Sequence, residues 1–168
     1  DITINEIAGT LRETVTLDAG SGTTSVGVIG TGTEIGTLTI GTAQNGGITL
    51  NGAIVTDGAV TIDGPVTLAT AAVSVTTADD NISFNHSIDG SQTLTLESGS
   101  GAIVIDGAIG ADHTKILTGL SINATDGDTG TIEITDIGDD NAEGVNTGTV
   151  SIGNNATVSL TLDGTVYK

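Results

Sequence analysis

The residues best equipped for chemistry in this sequence lie in the stretch DIGDDNAE at 136–143 and in DGD at 126–128. Carboxylates at short spacing, with Gly and Asn between them, suit Ca2+, which takes roughly six to eight oxygen ligands and accepts flexible loops. Neighbouring carboxylates repel one another, and a bound cation relieves that repulsion. The expected ligand set is Asp126, Asp128, Asp136, Asp139, Asp140 and Glu143. The stretch has neither the residue order of an EF-hand nor the GGxGxD repeat of calcium-binding β-rolls. The competing reading is a solvated acidic loop.

Other chemistry finds little material. His86 and His113 are the only histidines and cysteine is absent, so a zinc site is not expected. No GxSxG elbow and no GK[ST] phosphate cradle occurs. Paired carboxylates can cleave glycosidic bonds, but sugar sites use aromatic platforms and basic groups. Here Phe84 and Tyr167 are the only aromatics, and Arg12, Lys115 and Lys168 the only Lys or Arg residues. The expectation is a protein that is not an enzyme, with no catalytic residue and no cofactor other than Ca2+. Four N-x-[ST] sequons, at Asn81, Asn85, Asn123 and Asn155, are compatible with a surface protein.

The formal charge of −18 excludes two classes of partner. So negative a field repels phosphate backbones and anionic membrane surfaces, and it makes divalent cations the natural counter-partners. No apolar run is long enough to span a bilayer, so membrane insertion is not expected. The absence of cysteine fits an exported protein. The chain opens at Asp1 rather than Met and reads as a processed mature chain or a segment of a longer one.

The elements that must position any site are strands. Short stretches such as TLTI at 37–40 and TLTL at 93–96 alternate apolar and Thr residues, which puts Leu and Ile on one face and Thr on the other. Gly, Asn and Asp fill the turns, and strand starts commonly recur every 10–12 residues. A longer echo is also present. TVTLDAGSG at 14–22 answers TLTLESGSG at 93–101, and ITIN at 2–5 answers ISFN at 82–85. This suggests two repeat units, 1–80 and 81–168, which form one continuous solenoid if they stack.

Two all-β folds fit that pattern. A parallel β-solenoid stacks coils of roughly 20 residues around a narrow interior filled by Val, Ile, Leu and Ala. The alternative is two tandem immunoglobulin-like β-sandwiches. Hairpin signals favour the second: Asn51-Gly52, Asp57-Gly58, Asp63-Gly64, Asp89-Gly90, Asp106-Gly107 and Asp163-Gly164. The scarcity of aromatic residues favours the first, and the expected fold is the parallel β-solenoid.

The stretch DNISFNHSIDGSQTLTLESGSGAIVIDGAIG at 80–110, with VTLATAAVSVTTAD before it, resembles repeats of large bacterial filamentous-haemagglutinin-like surface adhesins. The resemblance covers most of 48–122 and implies a parallel β-helix at the cell surface. It brings no catalytic residue with it.

Neither end carries a charged run or a proline cluster that would blunt a terminal coil. The chain opens in ITIN and closes in VSLTLDGTVYK. Open coils predict head-to-tail association with other copies, or stacking on neighbouring repeats. The function expected from these features is structural: a subunit or segment of an extracellular filament, adhesin stalk or surface layer. The alternative is an adhesion module from a larger surface protein.

Overall fold

A computed structural model of the chain describes residues 1–10, 12–41, 46–70, 72–125, 127–139, 144–145, 148–154 and 157–168. It holds seventeen strands, β1–β17 in chain order, and no helix among the described residues. Every strand pairing is parallel, and each joins a strand to the coil before or after it. The chain is therefore a parallel β-solenoid. The sandwich alternative does not occur, because its sheets are antiparallel.

The pairings form three columns, hence three faces. Face one stacks β2 (Val15–Leu17), β4 (Leu38–Ile40), β7 (Val60–Ile62), β10 (Ile82–Phe84), the first halves of β13 (Ile103–Ile109) and β15 (Thr131–Ile137), and β17 (Ser159–Leu162). Face two stacks the first halves of β1 (Ile2–Ile7) and β3 (Thr24–Ile29), then β5 (Ile48–Leu50), β8 (Val66–Leu68), β11 (Ile88–Asp89) and the ends of β13 and β15. Face three stacks the ends of β1 and β3, then β6 (Ala53–Thr56), β9 (Ala72–Thr77), β12 (Thr93–Glu97), β14 (Gly119–Ile122) and β16 (Val150–Ile152).

On face one, Val15, Leu38, Val60, Ile82, Ile103, Ile132 and Leu160 form one column. Successive members are 21–23 residues apart as far as Ile103 and 28–29 apart beyond it. The coils are thus close to the expected length at first and longer towards the C-terminus.

The hairpin-like dipeptides prove to be corners. Asn51-Gly52 separates β5 from β6, Asp57-Gly58 separates β6 from β7, and Asp63-Gly64 separates β7 from β8. The chain changes face at each without reversing, because each strand pairs with the preceding coil instead of its sequence neighbour. Gly suits these corners for want of room. A Cβ on Gly107 would lie 2.2 Å from the His86 carbonyl carbon, and one on Gly164 would lie 1.7 Å from the Thr135 oxygen.

The 80-residue echo joins residues on different faces. Ile2 lies in the face-two column and Ile82 in face one, while Val15 lies in face one and Leu94 in face three. An offset near 80 is three coils of about 22 residues plus two further sides, so the echo reflects strand and turn wording shared by all faces. Pairing also runs unbroken across residues 80 and 81, through β7–β10 and β9–β12.

The core is the set of inward columns, such as Ile40, Ile62, Phe84, Ile105 and Ile134, all fully buried. Burial of each such side chain contributes roughly 1.5–3 kcal/mol. Thr and Ser occupy the alternate outward positions, as in the ladder Thr16, Thr39, Thr61 and Ser83. One inward column is polar: Thr56, Thr77 and Ser98 are buried where face three turns to face one. Their hydroxyls donate to the carbonyl oxygens of Gly58, Asp80 and Gly101. Each thereby satisfies a turn carbonyl that no strand reaches.

Candidate functional site

Several acidic residues sit at coil corners and tie one coil to the next. Asp1 Oδ1 accepts the Thr23 N–H at 2.7 Å, and Asp79 Oδ1 accepts the Ser100 N–H at 2.9 Å. Asp89 Oδ1 accepts the Asp112 N–H at 3.0 Å, and Asn81 Oδ1 accepts the Ala102 N–H at 2.9 Å. Partners are 21 to 23 residues apart, which is one coil. Corner N–H groups lack strand partners, and a carboxylate makes a stronger, charge-assisted bond to them. Asp112 works within its own turn. The backbone N–H of Thr114 holds its carboxyl below the usual aspartate range, with help from the Thr114 hydroxyl and Lys115.

Of the expected calcium ligands, Asp126, Asp140 and Glu143 lie outside the described residues. Asp136 lies near the end of β15, where its Oδ1 accepts the N–H groups of Thr165 and Val166, both at 2.8 Å. It is a corner cap like those above. The main-chain oxygen of Asp139 accepts from Lys168 Nζ at 2.9 Å. Asp128 precedes β15 and Asp136 lies near its far end, so the two stand on either side of the face-one segment that pairs with β13 and β17. Among the described residues no three His, Cys, Asp or Glu groups come together as metal ligands would.

Asp128 meets a different carboxyl instead, Glu97 at the end of β12. Asp128 is 9% exposed and accepts the Thr125 N–H at 3.2 Å. Burial pushes the Glu97 carboxyl above the usual glutamate range, and the hydrogen-bonded Asp128 carboxyl pushes it the same way. Hydrogen bonds from the Ala124 backbone and the Thr125 side chain act in the opposite sense. Glu97 Oε2 is enclosed without a hydrogen-bond partner. The sequence reading missed this pair. Its signal is a separation of one lengthened coil, visible only once coil length is known.

Beside that pair lies Asn123, fully buried with φ +40°. Its Oδ1 accepts the Ser98 N–H at 2.7 Å and its Nδ2 donates to Ser98 Oγ at 3.1 Å. As a sequon Asn123 is therefore closed to glycosylation in the folded chain, whereas Asn81 and Asn85 are exposed and Asn155 lies outside the described residues. The two histidines stand apart on exposed positions, and His86 Nε2 lies 3.4 Å from Asp63 Oδ1.

Two surface features remain. The first is an open trough of about 560 Å3 on face three, rimmed by Thr93, Thr95, Ser121, Thr149 and Ser151 and opened by the missing side chain of Gly119. The second is the C-terminal edge. On face one, β17 pairs with β15, and among the described residues no strand pairs with its other edge. Leu160 and Leu162 are 44% and 48% exposed there, although their column partners Ile132 and Ile134 are buried. On face three, Val150 is 47% exposed in the same way.

Face two is closed differently. Residues 164–168 fold under the end of β15, where Tyr167 bridges to Ile137. The Ile137 N–H donates to Val166 O at 2.9 Å, and the Lys168 N–H donates back to Ile137 O at 2.9 Å. The Tyr167 hydroxyl accepts the Gly164 N–H and donates to Thr135 O, both at 2.7 Å.

The architecture, with its cross-coil caps and open edge, defines the chain as a parallel β-solenoid with a mostly aliphatic interior. Comparison with known family models, curated proteins and solved structures finds no match to it.

Proposed function

We propose that this chain is a non-enzymatic structural segment of an extracellular filament, adhesin stalk or surface layer, and that it associates end to end. The observation that carries the reading is the C-terminal edge. There β16 and β17 expose the same inward columns that every earlier coil covers. An uncovered parallel edge with apolar side chains above it favours another coil in the same direction. The resemblance to surface-adhesin repeats supports an extracellular setting. The acidic surface, −18 in net charge, favours solubility of a long assembly and attraction of divalent cations.

The alternative, an adhesion module, rests on the face-three trough. None of its lining residues is aromatic or charged. Strong interfaces are usually anchored by such residues, so the structural reading leads.

Negative-stain electron microscopy of the purified chain tests it, at several salt concentrations, in calcium and again in chelator. Filaments of uniform width are expected. Single particles under every condition would remove self-association from the reading.

A further inference from the structure

The two edges of the solenoid correspond column by column. On face one the first members are Val15 and Leu17 and the last are Leu160 and Leu162. On face three the column runs from Ile7 through Ile29, Ile54, Val75, Leu96 and Ile122 to Ile152. Faces one and three thus each hold seven levels. Face two runs Ile2, Thr24, Ile48, Val66, Ile88, Ile109 and Ile137, and then adds Tyr167 as an eighth.

That surplus level decides how another copy can dock. If Val15 stacks on Leu160 and Ile7 stacks on Ile152, Ile2 arrives directly beneath Ile137. Tyr167 already occupies that position. With residues 164–168 in place, an incoming turn meets faces one and three only by colliding on face two. With them displaced, all three columns continue without a gap.

Resting on the end-to-end association proposed above, we infer that the C-terminal edge takes the β1–β2 turn of a second copy, and that residues 164–168 are a plug which this turn displaces. The entering strand pairs with Ile137 in place of Tyr167. Leu160 and Leu162 then cover Val15 and Leu17, and Ile152 covers Ile7. Apolar residues then meet at Ile2, Ile7, Val15 and Leu17, while Val150 meets Asn5, and the strands run parallel as they do in every described pairing. A tail-to-tail contact would instead set β17 against its own copy in antiparallel fashion, a pairing found nowhere among the described strands. The plug is held by two backbone bonds to Ile137, the Gly144 N–H on Lys168 O, two N–H bonds to Asp136 Oδ1, the Tyr167 hydroxyl on Thr135 O and Lys168 Nζ on Asp139 O, and the incoming strand replaces those to Ile137.

The test locks and loosens the plug in the full chain. Asp136 and Val166 lie beside one another in the Ile137–Tyr167 register, so their Cα atoms are about 4.8 Å apart. That falls within the disulfide range, and the native chain has no cysteine to interfere. The double variant Asp136→Cys/Val166→Cys should show no association by light scattering when oxidised and regain it on reduction. Tyr167→Ala, which removes the hydroxyl bonds, should raise the association rate about tenfold. Equal association of the oxidised, reduced, Tyr167→Ala and parent chains would overturn the plug while leaving self-association standing. Absence of association in all four would remove the reading on which the plug rests.

Discussion

Ile134 and Leu162 are register partners one coil apart on face one, yet Ile134 is fully buried and Leu162 is 48% exposed. Chemistry and strand position are the same. Only the coil above differs. Truncation should therefore cost very different amounts at the two sites. Ile134→Ala should lower stability by about 2–5 kcal/mol and Leu162→Ala by about 1 kcal/mol or less. Chemical denaturation of both variants checks this, and similar losses would mean that the terminal coil packs tightly in solution.

Asp136 ties the final turn to the body of the solenoid through two N–H groups. Asp136→Ala should speed amide exchange at Thr165 and Val166, with a local loss of about 1–2 kcal/mol. Asp136→Asn keeps an acceptor oxygen and should preserve most of the protection. Hydrogen exchange resolved by residue separates the two. Unchanged protection in the alanine variant would show that these bonds do not hold the turn.

Glu97 gives the pH dependence. Its carboxyl titrates above the usual glutamate range in the folded chain because it is enclosed beside Asp128. A raised acid binds its proton more readily when folded, so its burden on stability is absent below the unfolded value. The burden is complete once pH has passed the folded value. Glu97→Gln should therefore raise the melting temperature at pH 7 and change it little at pH near 3. Melting curves at both pH values measure the difference, and a benefit independent of pH would refute the assignment.

Charge along one corner column predicts how association responds to salt. Following face one a single position past the inward residues, the chain sets Asp18, Gly41, Asp63, Asn85, Asp106, Thr135 and Asp163 in turn. Acids alternate with neutral residues, so no two acids are adjacent. A second copy docked on Leu162 and Leu17 would place Asp163 beside Asp18. Association should strengthen as ionic strength rises towards roughly 0.5 M, where exposed charges are screened within several Å. Asp163→Asn should reduce that dependence. Light scattering across a salt series tests both, and association that weakens with salt would exclude this junction.

The alternation of Val, Ile and Leu with Thr made the solenoid and its interior legible before any coordinates, because that pattern states which side chains point inward. Corner geometry was less so. Asn51-Gly52 and Asp63-Gly64 have the wording of hairpins, and the local chain cannot tell a reversal from a corner. The partner strand makes that decision, and it lies a coil away. The same distance hid the cross-coil caps. Asp136 looked like a metal ligand among neighbouring acids, whereas the groups it meets are about thirty residues downstream. Glu97 and Asp128 were separated in the sequence by a coil longer than those before it.

The regular coil length has a consequence for how the molecule comes apart. Nearly every tertiary neighbour of a residue is about 22 residues away in its middle coils, whichever coil is chosen. Relative contact order is therefore on the order of 0.13, set by the circumference of one coil rather than by the length of the whole. Heating or pulling need not dissolve such a chain in one concerted event. The longer, half-covered C-terminal turns should peel away first and leave the tight middle coils as a self-sufficient remainder.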